Sequence, residues 1–162
     1  MKKLSFVLNG EARTVMVDNS DILLEVLREK MGVKSPKCGC DTGDCGACTV
    51  LLNGRNVRSC LIFAVEVEDQ EVTTLEGISK GGLTPLQKTL LEENAFQCGF
   101  CAPGFILTAT ELLNRNPNPD EAEIKEAVAG NLCRCTGYTS IIRAIKNVSN
   151  HTPQHQQTNK PA

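Results

Sequence analysis

The sequence predicts an α+β chain in which a small sheet unit precedes a helical one, and three observations carry that reading. The first half holds two Asn-Gly dipeptides, each leading out of an apolar run, which is the mark of tight β-hairpins. The second half holds two capping boxes ahead of apolar stripes with helical spacing. Nine cysteines, eight of them in two close sets, are shared between the halves.

Residues 4–8 and 12–17, joined at Asn9-Gly10, predict a hairpin, because Asn-Gly supplies the consecutive positive φ angles of a type I′ turn. Residues 18–21 offer N-cap oxygens to a helix with Ile22, Leu23, Val26 and Leu27 on its apolar face, closed by Gly32 in the left-handed region. A glycine-rich cysteine loop follows. Residues 49–52 and the turn at Asn53-Gly54 form a second hairpin leading to Cys60, and residues 61–67 and 72–75 read as short strands or a buried connector. Residues 77–82 lack periodicity and read as a linker. Beyond it, Thr84 and Gln87 form a capping box with Pro85 at the first helical position, and Leu86, Leu90 and Leu91 point inward. A second helix starts near Pro103, with Phe105, Ile106, Ala109, Leu112 and Leu113 buried. Asp120 and Glu123 open a third, carrying Ile124, Ala127 and Val128 and ending at Gly130. A fourth starts near Thr139 or Ser140, with Ile141, Ile142, Ile145 and Val148 inside. The predicted division is a sheet unit at 1–77, a linker at 78–82, a helical bundle at 83–150 and a polar, disordered tail at 151–162.

Cys40, Cys45, Cys48 and Cys60 have the C-x4-C-x2-C…C spacing of a plant-type [2Fe-2S] site. Three thiolates must wrap a four-atom inorganic core while backbone N–H groups turn towards the sulfurs. Gly39, Gly43 and Gly46 supply the positive φ angles and close approach this needs. Cys98, Cys101, Cys133 and Cys135 form a second set of four in two close pairs, each just ahead of a predicted helix, so that helix N-termini are expected to face the second site. Structural zinc favours paired C-x2-C knuckles, which neither set provides. The two histidines, His151 and His155, lie in the tail and do not suit a Rieske centre. An odd cysteine count and the lack of a secretory signal argue against a disulfide framework.

The formal charge of minus 2 becomes about minus 6 once each four-thiolate cluster adds its own charge of about minus 2, which sets nucleic acid aside as a partner. The apolar run after Lys2-Lys3 is too short for a signal peptide or membrane span, so a cytoplasmic protein is expected. The chain carries no phosphate-binding glycine motif and no nucleophile–base set, so no catalytic residue is expected on it. Two one-electron centres without a substrate pocket describe a wire.

The motifs GCDTGDCGACT at 39–49, QCGFCAPG at 97–104 and GNLCRCTGY at 130–138 resemble the iron–sulfur subunit of the molybdenum hydroxylases, the family of xanthine dehydrogenase, aldehyde oxidoreductase, aerobic carbon monoxide dehydrogenase and nicotinate dehydrogenase. The resemblance spans about residues 3–148. It implies a β-grasp ferredoxin-like domain followed by a four-helix bundle, each with one [2Fe-2S] cluster. It also implies a molybdopterin-bearing large subunit and an FAD-binding medium subunit as partners. Gln97 and Cys135 would then lie against the pterin, the helical-domain cluster would take electrons from it, and the first cluster would pass them to the flavin. A xanthine-like purine is the substrate this family reading favours. A free-standing two-cluster ferredoxin and a zinc-binding interaction module are the alternative functions. Cys38 reads as a spare thiol outside the ligand register, Ala102 replaces a common threonine, Arg134 lies between two ligands, and Tyr138 reads as a packing residue.

Overall fold

A computed structural model describes residues 1–151, and most of the tail predicted at 151–162 lies outside the described residues. Strands β1 (Lys2–Leu8) and β2 (Glu11–Val17) form the first hairpin, turning at Asn9 (φ 54°) and Gly10 (φ 79°). Strands β3 (Thr49–Leu52) and β4 (Arg55–Arg58) form the second through Asn53 and Gly54, which share the left-handed pair of angles. With β5 (Glu71–Thr73) they make one mixed sheet of order β2-β1-β5-β3-β4, in which only β1 and β5 run parallel. Alternation along β1 sends Leu4, Phe6 and Leu8 into a core with Val17, Leu27, Val50, Val67 and Val72.

The first helix departs from expectation. It runs α-helical only over α1 (Leu23–Glu25) and continues as a π turn over Val26–Lys30, with Met31 N bonded to Val26 O. The predicted cap is not made: Ile22 stands at the N-cap and bridges to Phe63, while the Asp21 carboxylate takes Lys30 and the Asp18 N–H instead. Gly32 closes the segment at φ 74° as expected. Between β4 and β5 the chain makes two 3-10 turns, Ser59–Leu61 and Ala64–Val67. Gly77, read as linker, belongs to a short helix α2 (Leu75–Ile78).

Four further helices follow: α3 (Pro85–Glu92), α4 (Ala102–Arg115), α5 (Glu121–Val128) and α6 (Thr139–His151). Both capping boxes close, Thr84 with Gln87 and Asp120 with Glu123. Leu86, Phe105, Ile106, Ile124, Ile141 and Ile145 build the second core, each buried side chain of this size contributing roughly 1.5–3 kcal/mol. Leu91 does not join them and is 64% exposed. Helix α4 is buried on two faces, because Leu107, Thr108 and Glu111 turn away from its apolar stripe towards β3 and β4. There Glu111 pairs with Arg55 at 3.0 Å and accepts from Asn56. The fold is therefore α+β, a sheet unit and a helical unit sharing α4 as their seam. Among the described residues no helix is long and apolar enough to cross a membrane.

Candidate iron–sulfur centres

The loop between the π turn and β3 carries Cys38, Cys40, Cys45 and Cys48. Gly43 (φ 84°) and Gly46 (φ 72°) reverse the chain inside it. Gly39 is needed for space rather than for its angle, since a Cβ there would lie 2.8 Å from Cys45 Sγ. The N–H groups of Thr42 and Cys45 donate to Cys40 Sγ at 3.4 and 3.3 Å, and that of Ala47 donates to Cys45 Sγ at 3.5 Å. The Thr42 hydroxyl and the Thr42 and Cys45 N–H groups pull the Cys40 thiol down to about 6, with the thiolate as the favoured form. Pairing of Thr49 with Arg58 in the second hairpin brings Cys60 back beside Cys48, their buried sulfurs 3.3 Å apart. Burial pushes the Cys60 thiol up to about 12, and Cys48 adds to the rise. Cys38 is exposed.

The second set comes from two loops. Cys98 and Cys101 lie on the turn ahead of α4, Cys101 at its N-cap, and Cys133 and Cys135 lie between α5 and α6. Cys98 Sγ and Cys135 Sγ stand 3.5 Å apart and exposed, while Cys101 is buried beside Cys133. Burial raises the Cys101 thiol to about 12. Cys133 is also penalised by burial, but the Thr136 hydroxyl, 3.2 Å from its sulfur, and N–H groups of Thr136 and Cys135 bring it below the usual thiol range. The donors to Cys98 and Cys133 thus include loop groups, Phe100 N–H and those around Thr136, and α6 begins four positions beyond Cys135. Tyr138 packs its ring 5.9 Å from Phe105, as a packing residue should, and its hydroxyl also accepts the Cys133 N–H at 2.9 Å. Tyr138 holds this position at a backbone φ of 66°, a rare angle for a bulky residue.

Both sets assemble as pairs: Cys40 with Cys45, Cys48 with Cys60, Cys98 with Cys135, and Cys101 with Cys133. All nine thiols are free. The Cys48–Cys60 and Cys98–Cys135 separations approach the edge of about 3.7 Å that two sulfurs span on one tetrahedral metal with bonds of about 2.3 Å. Among the described residues no three His, Cys, Asp or Glu side chains gather as they would around a single ion. A two-metal core, with one sulfur pair on each metal, fits what each site presents.

Comparison with known proteins agrees with this chemistry. Residues 6–76 match the family described as "2Fe-2S iron-sulfur cluster binding domain", and residues 74–146 the one described as "[2Fe-2S] binding domain". The chain is 47% identical over 137 residues to the nicotine 6-hydroxylase small subunit of Paenarthrobacter nicotinovorans, covering 85% of this chain and 83% of that one. It is 48% identical over 140 residues to the nicotinate dehydrogenase small FeS subunit of Eubacterium barkeri, covering 86% and 89%. The chain belongs to the iron–sulfur small subunits of the molybdenum hydroxylases. A chain in the crystal structure of quinoline 2-oxidoreductase from Pseudomonas putida 86 superposes with a TM-score of 0.89 at 42% identity, over 91% of this chain and 92% of that one.

In this iron–sulfur subunit the two sites are joined by a polar seam that motif spacing does not reveal. Asn131, two residues before Cys133, is buried; its amide donates to Gly46 O at 3.2 Å and its carbonyl accepts from Thr108 at 2.9 Å. Arg58 reaches Thr49 Oγ1 and Gly130 O at 2.8 and 2.6 Å. Leu132 N donates to Cys45 O at 2.9 Å, so the backbone beside Cys133 is bonded to that of Cys45. Glu76 at the start of α2 anchors the approach to the first site. Burial opposes its charge, but donation from Ser35 and Thr74 outweighs that and holds the carboxyl near 2. Gln97 is exposed and lines a groove of about 330 Å³ with Leu83, Leu91, Phe96, Ala102 and Ile106. Cys135 is exposed beside Cys98, the residue that follows Gln97 in the chain.

Proposed function

We infer that this chain is the electron-transfer subunit of a heteromeric molybdenum hydroxylase, and hence part of an oxidoreductase whose substrate site lies on a partner. The observation that carries the reading is the presence of two four-thiol sites, each built as two pairs, bonded to one another across a single seam. Cys40, Cys45, Cys48 and Cys60 would hold one [2Fe-2S] cluster, and Cys98, Cys101, Cys133 and Cys135 the other. Each cluster, when bound, supplies one-electron transfer. The chain's own residues supply the rest. Loop N–H groups offset thiolate charge, Leu24 and Ile22 shield Cys48 and Cys60 from water, and Asn131 and Arg58 fix the two loops relative to each other.

A molybdopterin-binding large subunit would cover the exposed end of the helical unit, placing Gln97 and Cys135 beside the pterin, and an FAD-binding medium subunit would meet the first site. The names of the relatives, nicotine 6-hydroxylase and nicotinate dehydrogenase, support a nitrogen heteroaromatic as the substrate class. A xanthine-like purine is a narrower choice within that class, supported by 38% identity over 146 residues to a probable xanthine dehydrogenase component of Bacillus subtilis. We place the complex in the cytoplasm. The sheet unit is read as a β-grasp domain at 1–77 and the last four helices as a four-helix bundle at 83–150, divided at 78–82. Expressing 1–80 and 83–150 separately with iron and sulfide tests that division, and failure of both to hold a cluster would sink it.

Gentle purification of the tagged chain from its host tests the function. The expected result is co-purification of two larger polypeptides, one with molybdenum and one with flavin, and about four iron atoms per chain in two distinguishable paramagnetic signals on reduction. A brown monomer without partners, or a colourless zinc protein, would overturn the reading.

A further inference from the structure

We propose that Lys37 is a charge that tunes both clusters, an ammonium held between their cysteine loops that favours the reduced state of each. The inference rests on the two-cluster reading above. Lys37 stands three residues before Cys40, and its backbone N–H donates to Ala47 O at 3.0 Å, inside the first ligand loop. Its side chain crosses to the second. Nζ donates to Phe100 O at 3.3 Å, in the turn between Cys98 and Cys101, and to Ser35 O at 3.1 Å. It also lies 5.5 Å from the centre of the Phe100 ring, where the negative face of the aromatic favours a cation. The same ring closes over the first loop, since a Cβ at Gly39 would lie 3.5 Å from Phe100 Cε1.

Lys37 is half-buried, so water screens its charge less than that of a surface lysine. Burial and the nearby Arg28 guanidinium act against the ammonium, while Glu76 favours it. Arg28 and Glu76 are committed to neighbouring backbone, Arg28 to the carbonyls of Pro36 and Lys34 and Glu76 to the N–H groups of Lys34 and Ser35. Of Arg28, Glu76 and Lys37, it is Lys37 that is bonded to both cysteine loops; Arg58, the other cation that bridges them, is bonded at Thr49 and Gly130, away from the Phe100 turn. One-electron reduction takes a four-thiolate cluster from about minus 2 to about minus 3. A fixed positive charge lowers the energy of the more negative state and so raises the potential of a cluster within its reach.

The test is a redox titration of the intact complex, following each cluster by its own electron paramagnetic resonance signal. It compares the wild type with Lys37→Met, Lys37→Gln and Lys37→Arg. Iron content and the presence of both signals check the two-cluster reading separately from the potentials. The expected result is a shift of both midpoints to more negative values in Lys37→Met and Lys37→Gln at full iron content, with Lys37→Arg close to the wild type. Wild-type midpoints in the iron-replete Gln variant, or an equal shift in the Arg variant, would overturn the proposal. Should the Met variant lose iron, the Gln and Arg pair decides it.

Discussion

Replacing Gly104 by alanine sets two effects of opposite sign against each other. Gly104 lies in the first turn of α4, and alanine is the better helix former by about 1 kcal/mol, so helix propensity alone predicts a more stable protein. The seam predicts the reverse. A Cβ at Gly104 would overlap the Gly46 carbonyl oxygen and approach Asn131 Nδ2 to 3.0 Å. That carbonyl cannot readily retreat, because Thr49 Oγ1, Thr49 N and Asn131 Nδ2 bond it at 2.7, 3.2 and 3.2 Å. Overpacking of this kind costs roughly 1–3 kcal/mol, and a buried Asn131 amide left without its acceptor costs about 1–3 kcal/mol more. The contact term wins, with a net loss of about 3 kcal/mol, or a melting temperature lower by roughly 6–12 °C for a chain of this size. The assay is thermal loss of the visible cluster absorbance in the holo-protein, with Gly81→Ala as the control, since a Cβ there meets nothing within 4 Å. A Gly104→Ala protein as stable as the wild type would refute the close approach of α4 to the first ligand loop.

Cys38→Ser should keep its full iron content, whereas Cys40→Ser should lose about half of it; metal analysis of the two proteins decides which thiol is in register. Glu76→Gln should destabilise by about 1–2 kcal/mol at neutral pH, a figure reduced because the carboxylate is partly exposed. Its folded pKa near 2 lies below the ordinary 4.5, so the contribution is complete above 4.5 and disappears as pH falls towards 2. Denaturant unfolding of variant and wild type should therefore converge on acidification, and a constant difference down to pH 3 would contradict the assignment. In the assembled complex, Cys98→Ser should stop substrate from reducing the remaining ferredoxin-domain cluster, while Cys45→Ser should leave substrate reduction of the helical-domain cluster intact. Rapid mixing with resonance detection reads both, and unimpaired reduction in the Cys98 variant would reverse the order of the two sites.

Much of this molecule was legible because its signals are local. Asn9-Gly10 and Asn53-Gly54 dictate their turns through φ angles that few residues adopt, and Thr84 with Gln87 or Asp120 with Glu123 closes a capping box within four residues. The cysteine spacing is equally local, and the structure brings all eight predicted thiols into close pairs. The first helix lies where expected, with Leu23, Val26 and Leu27 buried and Gly32 closing it, but periodicity does not separate an α turn from a π turn because the same apolar positions serve both. Its cap failed because Lys30, nine residues away, competes for Asp21. Leu91 was misplaced because a stripe of spacing four does not show where the partner helices end. The seam escaped altogether: Asn131, Thr108 and Arg58 find partners 85, 23 and 72 residues away in the bonds that matter, and no periodic pattern encodes such a distance.

The two sulfur sets are not placed symmetrically, and that asymmetry bears on direction. In the helical unit, Cys98 and Cys135 are exposed while Cys101 is buried. One pair therefore faces outward beside Gln97, and the other is turned into the protein. From the inner pair, the backbone at Leu132 leads through one hydrogen bond to Cys45. Arg58 and Asn131 hold the two loops together on either side of that bond, and Phe100 and Lys37 close them from the loop ends. A charge arriving at the exposed pair thus meets a route of covalent links and one short hydrogen bond to Cys45 in the first set. The same bonds explain why the seam is polar. A purely apolar contact would bury as much surface, but it would not fix the spacing between the two backbones that carry the paired thiols.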